Sequence, residues 1–213
     1  MFGFFKKNQV EKELALFALA DGEIVPITQV NDPVFAGKMM GDGFAVIPAS
    51  GVITSPVKGE VVNVFPTLHA VGIQTAGGLE VLVHMGIDTV ELKGGPFETT
   101  VTVGQKVDEN TVLSTVDLEV LKEAGKDTAM MVLFTNMDKV ESIAVATEGL
   151  VEGKAEVGKV TLKAAQVKDR SIVSAQTSSA LTNLTSEKDL GVAGSLDVLK
   201  ANAKDAIEEA AKA

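Results

Sequence analysis

From Leu14 to Leu162 the chain is a series of short apolar runs, each soon interrupted by Gly, Pro, Asp or Asn. Runs of that length suit strands, and frequent turn signals between them point to an all-β sandwich or barrel. Strands are predicted at 14–20, 23–28, 44–48, 51–55, 60–65, 98–103, 112–116, 130–136 and 158–162, with two more at 67–75 and 78–88. Asp21-Gly22-Glu23-Ile24-Val25 and Lys58-Gly59-Glu60-Val61-Val62 share a turn-then-strand signature, consistent with a weak internal duplication but too short to establish a repeat. A single short helix is predicted at 118–124, with Asp117 as its N-cap and Gly125 at C′; Leu118 and Leu121 would face the core.

The ends differ from this middle. Residues 1–13 carry Phe2, Phe4 and Phe5 beside Lys6 and Lys7, a segment amphipathic enough for peripheral membrane contact or for packing one Phe on the core. Residues 166–189 are rich in Ser, Thr, Ala, Gln and Asn and read as a linker. From Ser195, the residues Leu196, Leu199, Ala203, Ile207 and Ala210 recur at helical spacing. The expected organisation is an N-terminal segment (1–13), one domain (14–163), and a linker with a C-terminal helical tail of unassigned role (164–213).

Composition removes several function classes. A net charge of −10 opposes nucleic-acid binding. One arginine, Arg170, cannot build a guanidinium clamp for phosphate. The chain has no cysteine, hence no disulfide, thiolate nucleophile or Cys-type zinc site, which suits a cytoplasmic protein. No apolar run reaches the ~18 residues of a membrane span, and no phosphate-binding P-loop is present; Gly41-Asp42-Gly43 reads as a turn.

Chemistry concentrates in 67–88, which contains both histidines of the chain. Ala76-Gly77-Gly78 separates two strand-like arms, a hairpin signature. If Ala76-Gly77 is a two-residue loop, His69 lies opposite His84, with Cβ atoms roughly 4.5–5.5 Å apart; one more loop residue offsets the pair by one. A lone strand histidine is ordinarily a hydrogen-bonded structural residue. Two adjacent imidazoles are different: they cannot both be protonated cheaply, so one stays neutral near pH 7 with a free lone pair. It can act as a nucleophile while its neighbour donates to developing charge. The Thr67 hydroxyl is placed to fix one tautomer, and Asp88 to orient His84 or turn away misplaced anions. Two His also make half of a zinc site, completed only by an acidic residue or a partner.

Longer motifs carry a family resemblance. Asp32-Pro33-Val34-Phe35-Ala36-Gly37-Lys38-Met39-Met40-Gly41-Asp42-Gly43, then Ser55-Pro56-Val57-Lys58-Gly59, Thr67-Leu68-His69-Ala70, and Val83-His84-Met85-Gly86-Ile87-Asp88-Thr89-Val90-Glu91-Leu92-Lys93-Gly94 follow in order. Together with Asn136-Met137-Asp138 they resemble the glucose-family enzyme IIA proteins of the phosphoenolpyruvate-dependent sugar phosphotransferase system. The resemblance covers about 14–162 and implies an antiparallel β-sandwich (a barrel-sandwich hybrid).

It also implies roles. His84 would be the phosphorylated residue, as tele-phosphohistidine, charged by the phosphohistidine of HPr and discharged to a cysteine of an enzyme IIB domain. His69 would support the phosphoryl group, Thr67 would hold His69, and Asp88 would border the site. Val34, Phe35, Met39, Met40, Phe65 and Leu82 match the apolar docking rim, with two or three of them expected in the core. Leu82 and Met85 replace larger aromatic groups, and Pro66 replaces a common acidic residue, changes that bear on partner choice. No cofactor is required; zinc would bind only at a partner interface. The sugar is set by the membrane subunit. The alternative function is phosphorylation-dependent regulation of permeases or kinases through the same surface. A zinc peptidase of related β architecture would need a third ligand.

Overall fold

The computed structural model describes residues 12–146 and 148–163. The membrane-contact expectation for the N-terminus and the helical expectation for the tail fall outside the described residues. Fourteen strands are present among them: β1 (Glu13–Phe17), β2 (Gly22–Pro26), β3 (Asp42–Pro48), β4 (Val52–Thr54), β5 (Gly59–Val64), β6 (Ala70–Gln74), β7 (Glu80–Met85), β8 (Phe97–Thr99), β9 (Lys106–Val107), β10 (Val112–Val116), β11 (Met130–Phe134), β12 (Val140–Val145), β13 (Gly149–Val151) and β14 (Glu156–Leu162).

Their pairing is antiparallel throughout. One eight-stranded sheet runs β13-β2-β3-β11-β7-β6-β5-β9, and two three-stranded sheets run β1-β14-β12 and β4-β10-β8. The two copies of the turn-then-strand signature, β2 and β5, lie second from opposite edges of the large sheet.

Strand alternation sorts the side chains of the large sheet onto two faces. In β7, Val81, Val83 and Met85 are buried while Leu82 and His84 are half-buried. The buried set joins Leu16, Ile24, Phe44, Val46, Ile53, Val71, Ile73, Leu113, Val132, Phe134 and Val160 in the main core. Full burial of each such side chain contributes about 1.5–3 kcal/mol. A second cluster forms on the other face, where Ile27 and Val30 pack with Ala45, Ile87, Ala129, Met131 and Leu133, flanked by Phe35 and Leu82. His84 sits on this second face.

Among the described residues two α-helices occur where one was expected. The helix α2 (Leu118–Glu123) has Asp117 as its N-cap, Leu121 buried, and Gly125 at φ +69° beyond its end. The additional helix α1 (Pro33–Ala36) is a single turn. Asp32 caps it, accepting from the Val34 N–H at 2.8 Å and the Phe35 N–H at 3.0 Å, and Pro33 supplies the fixed φ of a first helical residue. Asp32→Ala should cost about 1 kcal/mol, read as a lower denaturant midpoint.

Three strands were not expected. β9 and β13 are very short edge strands, and β12 is a half-exposed strand whose Glu141 and Ser142 hide its apolar period. Asp42 and Gly43, read as part of a turn, instead open β3. Gly43 pairs with Leu133 so closely that a Cβ there would lie 1.9 Å from the Val132 carbonyl oxygen.

Candidate active site

The hairpin register differs by one residue from the two-residue-loop expectation. The Thr75 N–H donates to the Leu79 carbonyl, and Gly78 takes φ +76°, leaving Ala76-Gly77-Gly78 as a three-residue loop. Such a loop places its last residue in the left-handed region, which glycine adopts without strain. Ala70, not His69, therefore pairs with His84.

The imidazoles meet all the same. The chain enters β6 through a turn in which Leu68 N–H donates to the Phe65 carbonyl and Leu68 adopts φ +57°. His69 lies just outside the regular strand, its carbonyl taking the Met85 N–H at 2.8 Å. In a continued strand its ring would share the core face with Met85. Instead the two rings lie edge to face, centroids 5.0 Å apart and planes at 78°. Aromatic walls close the pair: Phe35 is 5.0 Å from the His84 centroid, and Phe65 is 5.5 Å from that of His69.

Each ring has one nitrogen committed. Thr67 Oγ1 lies 2.6 Å from His69 Nδ1. His84 Nδ1 lies 2.8 Å from the Gly86 carbonyl, which can only accept, so this nitrogen carries the proton. Nε2 of His84 is left with its lone pair. When the Thr67 hydroxyl donates to Nδ1, His69 carries its proton on Nε2. In that tautomer the pair combines a nucleophile and a hydrogen-bond donor.

Electrostatics favours the neutral state. Burial lowers the His84 pKa to about 4, assisted by the neighbouring His69 charge, while the Gly86 carbonyl and the Asp32 carboxylate oppose the shift. Burial also lowers the His69 pKa. The unfolded His84 ring titrates near 6.5, so between that pH and about 4 the unfolded chain binds more protons. Stability must therefore fall as pH drops through this window. His84 alone accounts for about 2 kcal/mol between roughly pH 7 and pH 5. Denaturant midpoints across this range should decline with acid, and His84→Gln should flatten the decline.

The expected site residues fare unequally. The structure brings Thr67, His69 and His84 together. Asp88 is exposed, its φ is +57°, and it makes no capping hydrogen bond. The Gly86 carbonyl, rather than Asp88, orients His84. Gly86 and Asp32 were not foreseen. Their signals were a glycine two residues after the histidine, and an Asp-Pro pair typical of a helix start.

None of the six rim residues is fully buried. Val34, Met39 and Met40 are exposed, Met39 to 76%. Phe35, Phe65 and Leu82 are half-buried, with Phe35 and Leu82 leaning on the second cluster. Met85 belongs to the main core, so its replacement of an aromatic group concerns packing rather than partner choice. Among the described residues no group of three or more His, Asp or Glu side chains is placed to hold a metal, and no helix is long and apolar enough to cross a membrane.

Residues 14–140 match the family model for the phosphoenolpyruvate-dependent sugar phosphotransferase system, EIIA 1. Over 147 residues the chain is 52% identical to the glucose-specific EIICBA component of Streptococcus pneumoniae, a match spanning 69% of this chain and 20% of that one. It is 41% identical over 160 residues to the glucose-specific EIIA component of Staphylococcus aureus, covering 75% of this chain and 96% of that protein. The solved glucose permease IIA of Mycoplasma capricolum superposes with a TM-score of 0.64 at 39% identity, over 74% of this chain and 99% of that one. The chain belongs to the EIIA 1 family of the phosphoenolpyruvate-dependent sugar phosphotransferase system, the phosphotransferase components that act as phosphocarriers toward a sugar.

Proposed function

We propose that His84 is the phosphoryl acceptor, taking the group on Nε2 from the phosphohistidine of HPr and passing it to a cysteine of an enzyme IIB domain. The observation that carries this reading is the 2.8 Å contact of His84 Nδ1 with the Gly86 carbonyl, which keeps the proton on Nδ1 and leaves Nε2 nucleophilic. The Nε2 lone pair bonds to phosphorus as the P–N bond of the donor breaks, its electron pair returning to the donor imidazole. The ring of His84 gains positive charge, and the Gly86 carbonyl stabilises it through the N–H it already accepts. His69, steadied by Thr67, donates to a phosphoryl oxygen. In the second transfer the cysteine sulfur bonds to phosphorus and the electron pair returns to Nε2. Positioning and charge stabilisation govern both displacements.

Asp88, exposed two residues beyond Gly86, borders the phosphoryl position and discourages other anions. Transfer needs no cofactor; the two imidazoles make only half of a zinc site, which a partner's carboxylate would have to complete. We place the reaction in the cytoplasm, with HPr and the IIB domain docking on Val34, Phe35, Met39, Met40, Phe65 and Leu82. Exposed methionines adapt to several partners, which favours a second use of the surface, binding of regulated permeases or kinases in one phosphorylation state. A pull-down comparing the two states tests that use.

Incubation with phosphoenolpyruvate, enzyme I and HPr, followed by intact-mass measurement and site mapping, tests the main reading. One acid-labile phosphoryl group on His84 is the expected result; mapping to any other residue refutes it.

A further inference from the structure

The carbonyl that fixes the His84 tautomer belongs to a residue without a side chain, so its direction must be set by neighbours. Two successive peptide units, from Met85 to Ile87, are each held at both ends. In the first, the Met85 carbonyl accepts from Thr89 Oγ1 at 2.7 Å while the Gly86 N–H donates to the Ala129 carbonyl at 3.0 Å. In the second, the Gly86 carbonyl meets His84 Nδ1 while the Ile87 N–H donates to the Asp127 carbonyl at 3.1 Å. A peptide unit is planar, so anchoring its N–H aims its carbonyl.

Both acceptors on the far side come from one short turn. Asp127 Oδ1 accepts from the Ala129 N–H at 2.8 Å, which ties the Asp127 and Ala129 carbonyls into a fixed pair. Thr89 is fully buried, and its methyl group fills the space beside Gly86 where a Cβ would come within 2.5 Å. A hydroxyl in so closed a site has its bond to Met85 as its evident purpose.

We propose that Thr89 and Asp127 are positioning residues for phosphoryl transfer: they clamp the Met85–Ile87 backbone so that the Gly86 carbonyl holds the His84 proton on Nδ1 and keeps Nε2 free. This rests on the reading of His84 as the acceptor. Neither residue touches the phosphoryl group; both act through Gly86.

Imidazole nitrogen NMR on the unphosphorylated full chain tests it, because it reads the tautomer whether or not His84 accepts phosphate. Wild type, Thr89→Ser and Asp127→Asn, which keep the required oxygens, should show a single Nδ1–H tautomer for His84. Thr89→Val and Asp127→Ala should populate the other tautomer to on the order of a tenth or more, with phosphorylation by phospho-HPr slowed about tenfold or more. A pure Nδ1–H tautomer in Asp127→Ala, or in a natively folded Thr89→Val, overturns the proposal, as does slowed transfer with the tautomer unchanged. Asp127 is only half-buried, so its variant decides alone if Thr89→Val does not fold. Phosphate mapping away from His84 in the wild type would instead refute the acceptor reading and leave the tautomer result standing.

Discussion

His84→Gln should fold normally and take up no phosphoryl group from phospho-HPr, a loss on the order of 10³-fold or more. Glutamine fills much of the volume of the ring and can still meet the Gly86 carbonyl, but its amide nitrogen has no lone pair free for phosphorus. His69→Gln should behave differently. Its amide still offers an N–H toward a phosphoryl oxygen, so uptake continues. It cannot take on positive charge as an imidazole does, so release to the IIB cysteine should slow by about 10²-fold. Single-turnover measurements of uptake and release separate the two effects. Wild-type labelling of His84→Gln would refute the assignment, and equal slowing of both steps in His69→Gln would refute the division of labour.

That division could not come from hairpin counting, which treats the two histidines alike. The alternation Val81-Leu82-Val83-His84-Met85 was legible as a strand with His84 on one face, and the structure keeps it. The register was not legible, because Ala76-Gly77-Gly78 reads equally well as a two- or three-residue loop; the outcome turned on Gly78 accepting a left-handed conformation. His69 still reaches His84 because Leu68, a residue with no turn signature, adopts φ +57° just before it. β12 went unseen for a related reason: Glu141 and Ser142 interrupt its apolar period, and pairing with β14 supplies what local pattern does not. The chemical motif was legible because it is contiguous in sequence. The turn at 127–129 that supports it lies about forty residues away and reads as an ordinary loop.

Gly86→Ala is expected to damage both the fold and the chemistry. At φ +78° an alanine is strained, and its Cβ would lie 2.5 Å from Thr89 Cγ2 and 2.8 Å from the Asp127 carbonyl oxygen. Left-handed strain adds about 1–2 kcal/mol, and overpacking about 1–3 kcal/mol. The Asp127 oxygen is backbone and accepts from Ile87, so relief requires the Met85–Ile87 segment itself to move. Movement there turns the Gly86 carbonyl away from His84 Nδ1. Loss of that acceptor removes the bias in the tautomer and the partner for the charge that develops on the phosphorylated ring. The folded fraction of Gly86→Ala should therefore accept phosphate about 10²-fold more slowly, with a denaturant midpoint well below wild type. A variant that is destabilised yet phosphorylated at the native rate would show that the carbonyl serves packing alone.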